Sequence, residues 1–298
     1  MEPIVVQARR AGIVEARHRV HAVAVHDGAV VAQAGDPELV CFMRSSSKPF
    51  QALPLALARD DLDERDLAIA SASHRAEPAQ IDAVRALLAK APAGEDELEC
   101  GLQEGRPQER LYHNCSGKHA GMLALCRAQD WPSSGYRLPE HPVQRGCLAV
   151  HAAAAGVSAD DVATGTDGCG VVTFALPLER MALMISRLEG LEGGARVVSA
   201  MRTHPELIGG TDSVDTELMR ALPGWIAKGG AEGLLCAASP DGIGVAVRVE
   251  DGSFRAQEPA LAAFLGLLGI ELPTFAVVPL ENSRHERVGE LVVEAAAG

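Results

Sequence analysis

Residues 44–50 read Arg44-Ser45-Ser46-Ser47-Lys48-Pro49-Phe50, RSSSKPF. Of the three serines only Ser45 stands three residues before Lys48, so a helical turn starting here puts the Ser45 hydroxyl and the Lys48 amine on one face. A serine attacks well only when a neighbour takes its proton, and a lysine can take it only when neutral. Moving a lysine from about 10.4 to near 7 takes roughly 4 to 5 kcal/mol of lost solvation or charge repulsion, at about 1.36 kcal/mol per unit. The plainer alternative is a serine-rich helix cap followed by a solvated lysine.

Two further stretches bear on that choice. Residues 227–233, AKGGAEG, place Lys228 before two glycines and a run with strand character, and Ser73 in SASHRAEP lies between the two lysines along the chain. The order Ser-x-x-Lys, Ser, Lys-Gly is that of penicillin-binding proteins and β-lactamases. Two lysines converging on one pocket would each favour the neutral form of the other. A glycine-rich surface loop at Lys228 and a helix cap at Ser73 are the alternatives.

Outward from this centre, residues 19–35 alternate apolar and other residues about His26-Asp27-Gly28, which predicts a β-hairpin. Helical spacing follows in residues 45–58, 82–90, 122–129 and 143–155. Residues 233–256 hold short β-rich runs punctuated by Asp241-Gly242 and Asp251-Gly252, the pattern of a meander; an apolar helix over 258–271 and a last strand over 287–295 complete the chain. Strands at both ends with helices between predict an α/β (α+β) fold whose antiparallel sheet is assembled from both chain termini, with a helical region. The expected organisation is one domain over 1–298, or two closely packed lobes.

The 298 residues are 47% hydrophobic and 22% charged, the composition of an ordinary globular protein. A formal charge of -13 with no Lys/Arg cluster speaks against a nucleic-acid or anionic-membrane partner and for a small-molecule one. No signal-peptide pattern and no run of about 18 apolar residues occurs, so the expected location is cytoplasmic. Seven scattered cysteines, an odd number, do not suggest a disulfide framework.

A second constellation joins HNCSGKHAGM, residues 113–122, to GTDGCG, residues 165–170. Cys115 and Cys169 are thiolate candidates, with Lys118 and His119 three and four residues after Cys115. No Cys-x-x-Cys pair is present, and spacing alone favours two buried cysteines in tight turns. Asp167, bracketed by Thr166 and Gly168, is suited to grip a substrate ammonium.

At these residues the sequence resembles the zinc-containing asparaginases, the rhizobial-type class 3 enzymes of the asparaginase II family. The resemblance runs through GIVEARHRVHAVAV, GDPELVCFMRSSSKPFQALPL, SASHRAEP, HNCSGKHAGMLALC, LPEHPVQ, GTDGCGVVTFALPLERMA and NSRHERVGELV, in that order. It implies a serine-β-lactamase-like fold, a homodimer, and hydrolysis of the linear amide of L-asparagine to aspartate and ammonia. It further implies two catalytic tandems, Ser45 with Lys48 and Ser73 with Lys228, and a Zn2+ site of Cys115, Lys118 and Cys169 completed by water. Arg44, His119 and Asp167 would contact substrate. One departure concerns the pocket edge: Arg75 and Ala76 follow His74 where the family usually has serine and a small residue. The readings set against an asparaginase are another Ser-Lys amidohydrolase (a glutaminase, a penicillin-type peptidase or a β-lactamase) and a non-catalytic, zinc-stabilised amino-acid binder.

Overall fold

In the computed structural model, which describes residues 1–294, the strands are β1 (Ile4–Arg10), β2 (Ile13–His26), β3 (Ala29–Ala34), β4 (Val40–Phe42), β5 (Ala163–Thr166), β6 (Val172–Pro177), β7 (Ile226–Gly230), β8 (Leu234–Ala238), β9 (Gly244–Val249), β10 (Val277–Glu281) and β11 (Arg287–Val293). Position 295 of the expected last strand lies outside the described residues. The chain divides into two compact units, one of residues 1–41, 177–186 and 229–298, the other of residues 42–176 and 187–228.

The first unit is organised around β2. Asp27 and Gly28 take φ of 50° and 80°, the doubly left-handed turn that suits a two-residue hairpin, and β3 returns antiparallel with His26 opposite Ala29. β9 lies along β2 with Val20 opposite Val249, and β8 along β9. β1 pairs with both β2 and β11, and β10 closes the far side on β11. Strands from the two ends of the sequence therefore alternate in one antiparallel sheet, the mixed α/β class that the sequence predicts. Val20, Ala22, Val23 and Ala24 of β2 are fully buried. Helix Gln257–Gly266, apolar around its circumference as a buried helix is, lies against β1, β2, β9 and β11 with Leu261, Phe264 and Leu265 unexposed. Gly244 has no room for a side chain, since a Cβ there would stand 2.0 Å from the Ala182 carbonyl oxygen of helix Leu178–Arg187.

The second unit is mostly helical, with β5 paired antiparallel to β6. Helices Pro78–Lys90 and Ser116–Ala128 begin four and six residues before their expected starts at 82 and 122. In the first, Pro78 occupies the opening position, where its missing N–H is no loss, and Gln80 closes a capping box on Glu77. In the second, Ser116-Gly117 are poor helix formers that packing holds in place. A Cβ on Gly117 would lie 2.2 Å from the Ile69 carbonyl oxygen, and one on Gly121 3.0 Å from Ala70 Cβ, so this helix rides against helix Glu64–Ala70 on two bare positions. Helices Gly194–Thr203 and Val214–Ala221, the latter capped by the Ser213 hydroxyl on Thr216 N–H at 3.2 Å, lie outside the helical runs read from the sequence.

Among the described residues no helix is long and apolar enough to cross a membrane, and all seven cysteines are free. Deep in the second unit the His151 ring stacks on Phe174 with centroids 4.0 Å apart and meets Phe50 at 5.6 Å. Replacing Phe174 by Ala removes the stack and leaves a cavity where collapse is hindered; urea denaturation should show a stability loss of about 3 to 5 kcal/mol.

Candidate active site

Residues Arg44–Ser47 form a single 3-10 turn running straight into helix Lys48–Gln51. Arg44 sits at φ 51°, the left-handed region that side chains avoid at a cost of about 1 to 3 kcal/mol, and the surroundings hold it there. Its Nε donates to Asp167 Oδ1 at 2.7 Å, its carbonyl accepts the Ser47 hydroxyl at 2.8 Å, and the neighbouring Met43 N–H donates to Phe174 O at 2.8 Å. Asp167 stays below the usual carboxylate range: burial works against its charge, and Lys118 and Arg44 outweigh burial. The Ser45 side chain that follows is half-buried and makes no hydrogen bond among the described residues.

Lys48 is wholly buried, with Nζ 2.6 Å from Ala72 O and 2.8 Å from Ser73 Oγ. The lysine that spacing pairs with Ser45 thus reaches Ser73, whose position is set by the end of helix Glu64–Ala70 and by its N–H on Ile208 O at 2.8 Å. Burial pushes Lys48 below its ordinary value; Lys118 and Lys228 push the same way, while the Cys115 and Cys169 sulfurs oppose. A neutral amine here can donate to the Ala72 carbonyl and accept the Ser73 proton at once, which is the geometry of a general base.

Lys228 lies on β7, 1% exposed, with Nζ 3.0 Å from Asp215 Oδ2. The Ser46 hydroxyl donates to the Lys228 carbonyl at 2.8 Å, tying the serine turn to this strand. Asp215 is a residue that sequence reasoning missed; the one local signal was the Ser213 cap two residues before it.

The cysteine constellation also assembles. Cys115 stands immediately before helix Ser116–Ala128, Lys118 lies in its first turn, and Cys169 sits in the turn after β5, where Asp167 N–H donates to Val171 O at 2.8 Å. All three are buried, and Lys118 Nζ is 3.1 Å from Cys169 Sγ. The Cys169 contact, opposed by burial, pulls the Cys115 thiol well below its ordinary value; the same contact and burial push Cys169 up. Burial works against the Lys118 charge, but Cys169 and Cys115 outweigh it and raise that amine. Two sulfurs and a nitrogen suit a borderline-soft divalent ion once the amine loses its proton. Among the described residues no three or more His, Cys, Asp or Glu side chains are grouped to hold a metal, so any site here depends on the lysine.

His119 is fully buried; its Nδ1 is 2.8 Å from Tyr136 Oη, and Nε2 lies near the Cys169 sulfur without a well-aligned partner. His74 joins the two halves of the site. Ser116 Oγ donates to Leu111 O at 2.7 Å and therefore accepts from His74 Nε2 at 2.8 Å, while His74 Nδ1 accepts the Ala76 N–H at 3.2 Å. Arg44, Ser45, Lys48, Ser73, Cys115, Lys118, His119, Asp167, Cys169 and Lys228 all belong to the second unit.

The model of the family L-asparaginase II matches residues 6–293. The chain belongs to the L-asparaginase II family. Among solved structures, Mglu in its native form aligns at 14% identity and a TM-score of 0.50, over 86% of this chain and 66% of that one. The chain thus spans just under two thirds of Mglu, a likeness of fold. A protein named provisionally as a beta-lactamase, from Bacteroides dorei DSM 17855, aligns at 13% identity and a TM-score of 0.46, covering 83% of this chain and 93% of that chain. EstCE1, described as a hydrolase with promiscuous acyltransferase activity, aligns at 13% identity and 0.42, covering 77% and 88% respectively. No curated protein matches the chain.

In this L-asparaginase II family member burial drives His74 down to about 3 and His151 down to about 4, both from an ordinary 6.5. Below pH 6.5 the unfolded chain binds protons that the folded rings refuse, so stability falls with acid until the folded values are reached. Urea denaturation should show a loss of about 2 kcal/mol per ring between pH 7 and pH 5; a profile that is flat or rises towards acid would contradict neutral rings.

Proposed function

We propose that this protein is an L-asparaginase of the zinc-containing, rhizobial-type class, hydrolysing L-asparagine to L-aspartate and ammonia through a serine acyl-enzyme. The observation that carries the reading is the fully buried Lys48 amine 2.8 Å from Ser73 Oγ, beside a turn that offers the unbonded Ser45 hydroxyl. Ser45 attacks the side-chain amide carbon, and its proton passes through Ser73 to Lys48. Lys48 returns that proton to the departing ammonia; a water deprotonated by the same route then cleaves the β-aspartyl ester and frees Ser45. Lys228, ion-paired with Asp215, holds Ser46 and with it the turn. Asp167, steadied by Arg44, grips the substrate ammonium, and His119 contacts substrate from the buried side.

Cys115, Lys118 and Cys169 are the residues that would hold Zn2+. Bound there, the ion would supply a fixed positive charge that orders the turn carrying Asp167. The same class implies a cytoplasmic homodimer acting on a small molecule, with no nucleic-acid or membrane partner.

Ammonia release from L-asparagine and L-glutamine at about 10 mM, above most KM values, tests the reading. Release from asparagine should fall at least a thousandfold in Ser45→Ala, and kcat/KM should decline about tenfold per unit as pH drops below the lowered Lys48 value, because only the neutral amine takes a proton. No release from either amide, or full activity in Ser45→Ala, would overturn it. For the metal, elemental analysis should find zinc in the purified protein, lost in Cys115→Ser and released by acid as Lys118 regains its proton.

A further inference from the structure

The chain carries 27 Lys and Arg against 40 Asp and Glu, so a guanidinium without an acid partner beside the reaction centre is unexpected. Two stand there. Arg75 directly follows Ser73-His74, is exposed, and is delivered by a turn in which Ala76 takes φ 62° and the Arg75 N–H donates to Gln80 Oε1 at 2.9 Å. Arg106 comes to the same place from a separate loop. Its Nη1 donates to His74 O at 3.2 Å and to Tyr112 O at 2.9 Å, whereas Nε and Nη2 make no hydrogen bond among the described residues.

Neither guanidinium is ion-paired among the described residues. The nearby Glu77 uses Oε1 on the Thr211 N–H at 2.9 Å and Oε2 on the Thr211 hydroxyl at 2.8 Å. The Arg75 stem is held against Gly210, where a Cβ would come 2.9 Å from Arg75 Cδ. Burial and the Arg75 charge both press on the Arg106 cation, with Cys115 opposing, so the two positive groups act on each other.

We propose that Arg75 and Arg106 form a carboxylate-binding rim beside Ser73, so that the amides hydrolysed here are those carrying a carboxylate outside the reacting amide. The inference rests on the Ser-Lys amidase reading and deepens it. A guanidinium anchored through one nitrogen and open at the other two presents a fork that fits both carboxylate oxygens, and its anchoring lowers the ordering needed on binding. Arg75 adds a second charge from the solvent side. The carboxylate is either the α-carboxylate of an amino-acid amide or that of a larger leaving group, as in a β-aspartyl dipeptide.

The test measures kcat and KM for L-asparagine, L-asparaginamide and β-aspartylglycine with wild type, Arg75→Gln and Arg75→Lys. Arg106 also ties two loops together, so the exposed arginine is the one varied. Arg75→Gln should raise KM about two- to fivefold, the range for an exposed ion pair, and only for a substrate whose carboxylate meets the rim; Arg75→Lys should recover most of the loss. An effect on asparagine that spares asparaginamide assigns the α-carboxylate, and one confined to β-aspartylglycine assigns the leaving group. Equal effects on all three, or none, overturn the proposal. If wild type hydrolyses none of them the amidase reading fails, and calorimetric titration with L-aspartate and β-aspartylglycine decides the rim separately: weaker binding of either by Arg75→Gln upholds it, while unchanged affinity or no binding refutes it.

Discussion

An ammonium taken out of water is the constraint around which the second unit is arranged. Burying such a charge without compensation costs several kcal/mol, and Lys48 has no exposed surface at all. Its hydrogen bonds run to a carbonyl and a hydroxyl rather than to a carboxylate, and these serve a neutral amine as well as a charged one. Helix Glu64–Ala70 must therefore end where it does, because its last turn delivers both Ala72 O and Ser73.

Three buried lysines in this unit show how surroundings separate the roles of one residue type. Lys48 meets uncharged oxygens, Lys118 meets sulfur, and Lys228 meets the Asp215 carboxylate. Each also acts on the first at a distance, since Lys118 and Lys228 disfavour the charged form of Lys48 while the cysteine sulfurs favour it. The balance at the base thus depends on groups that need never touch it. The strained Arg44 belongs to the same arrangement: its Asp167 partner hangs from the turn that also carries Cys169.

What could be read from the sequence was mostly local. The Asp27-Gly28 turn announces itself in two residues, and the alternating runs at both chain ends lead to the mixed fold and its antiparallel sheet. Membership of the L-asparaginase II family was legible too, from blocks spread over most of the chain. The pairing of Lys48 with Ser73 was not, because it joins residues 25 apart through the end of a helix whose capping lies elsewhere. Asp215 and Arg106 were missed for a similar reason: each is an ordinary charged residue in its own segment and gains its meaning only from what the fold brings beside it. The first turn of helix Ser116–Ala128 was hidden because Ser116 and Gly117 disfavour helix locally, and tertiary packing prevailed.

Gly117 has a wider implication. A helix that touches a carbonyl oxygen at a position with no side chain meets a hard wall rather than a soft packing surface, and hard walls set distance more sharply than attraction does. The Ile69 carbonyl lies three residues before Ala72, and Gly117 stands immediately before Lys118. A single missing methyl therefore acts as the spacer between the chain segment that carries the base's partners and the one that carries the cysteine cluster. For anyone recombining this scaffold with a relative, position 117 is the one to keep bare: the carbonyl at 69 is backbone and stays whatever side chain stands there, whereas any side chain at 117 would force the two halves of the site apart.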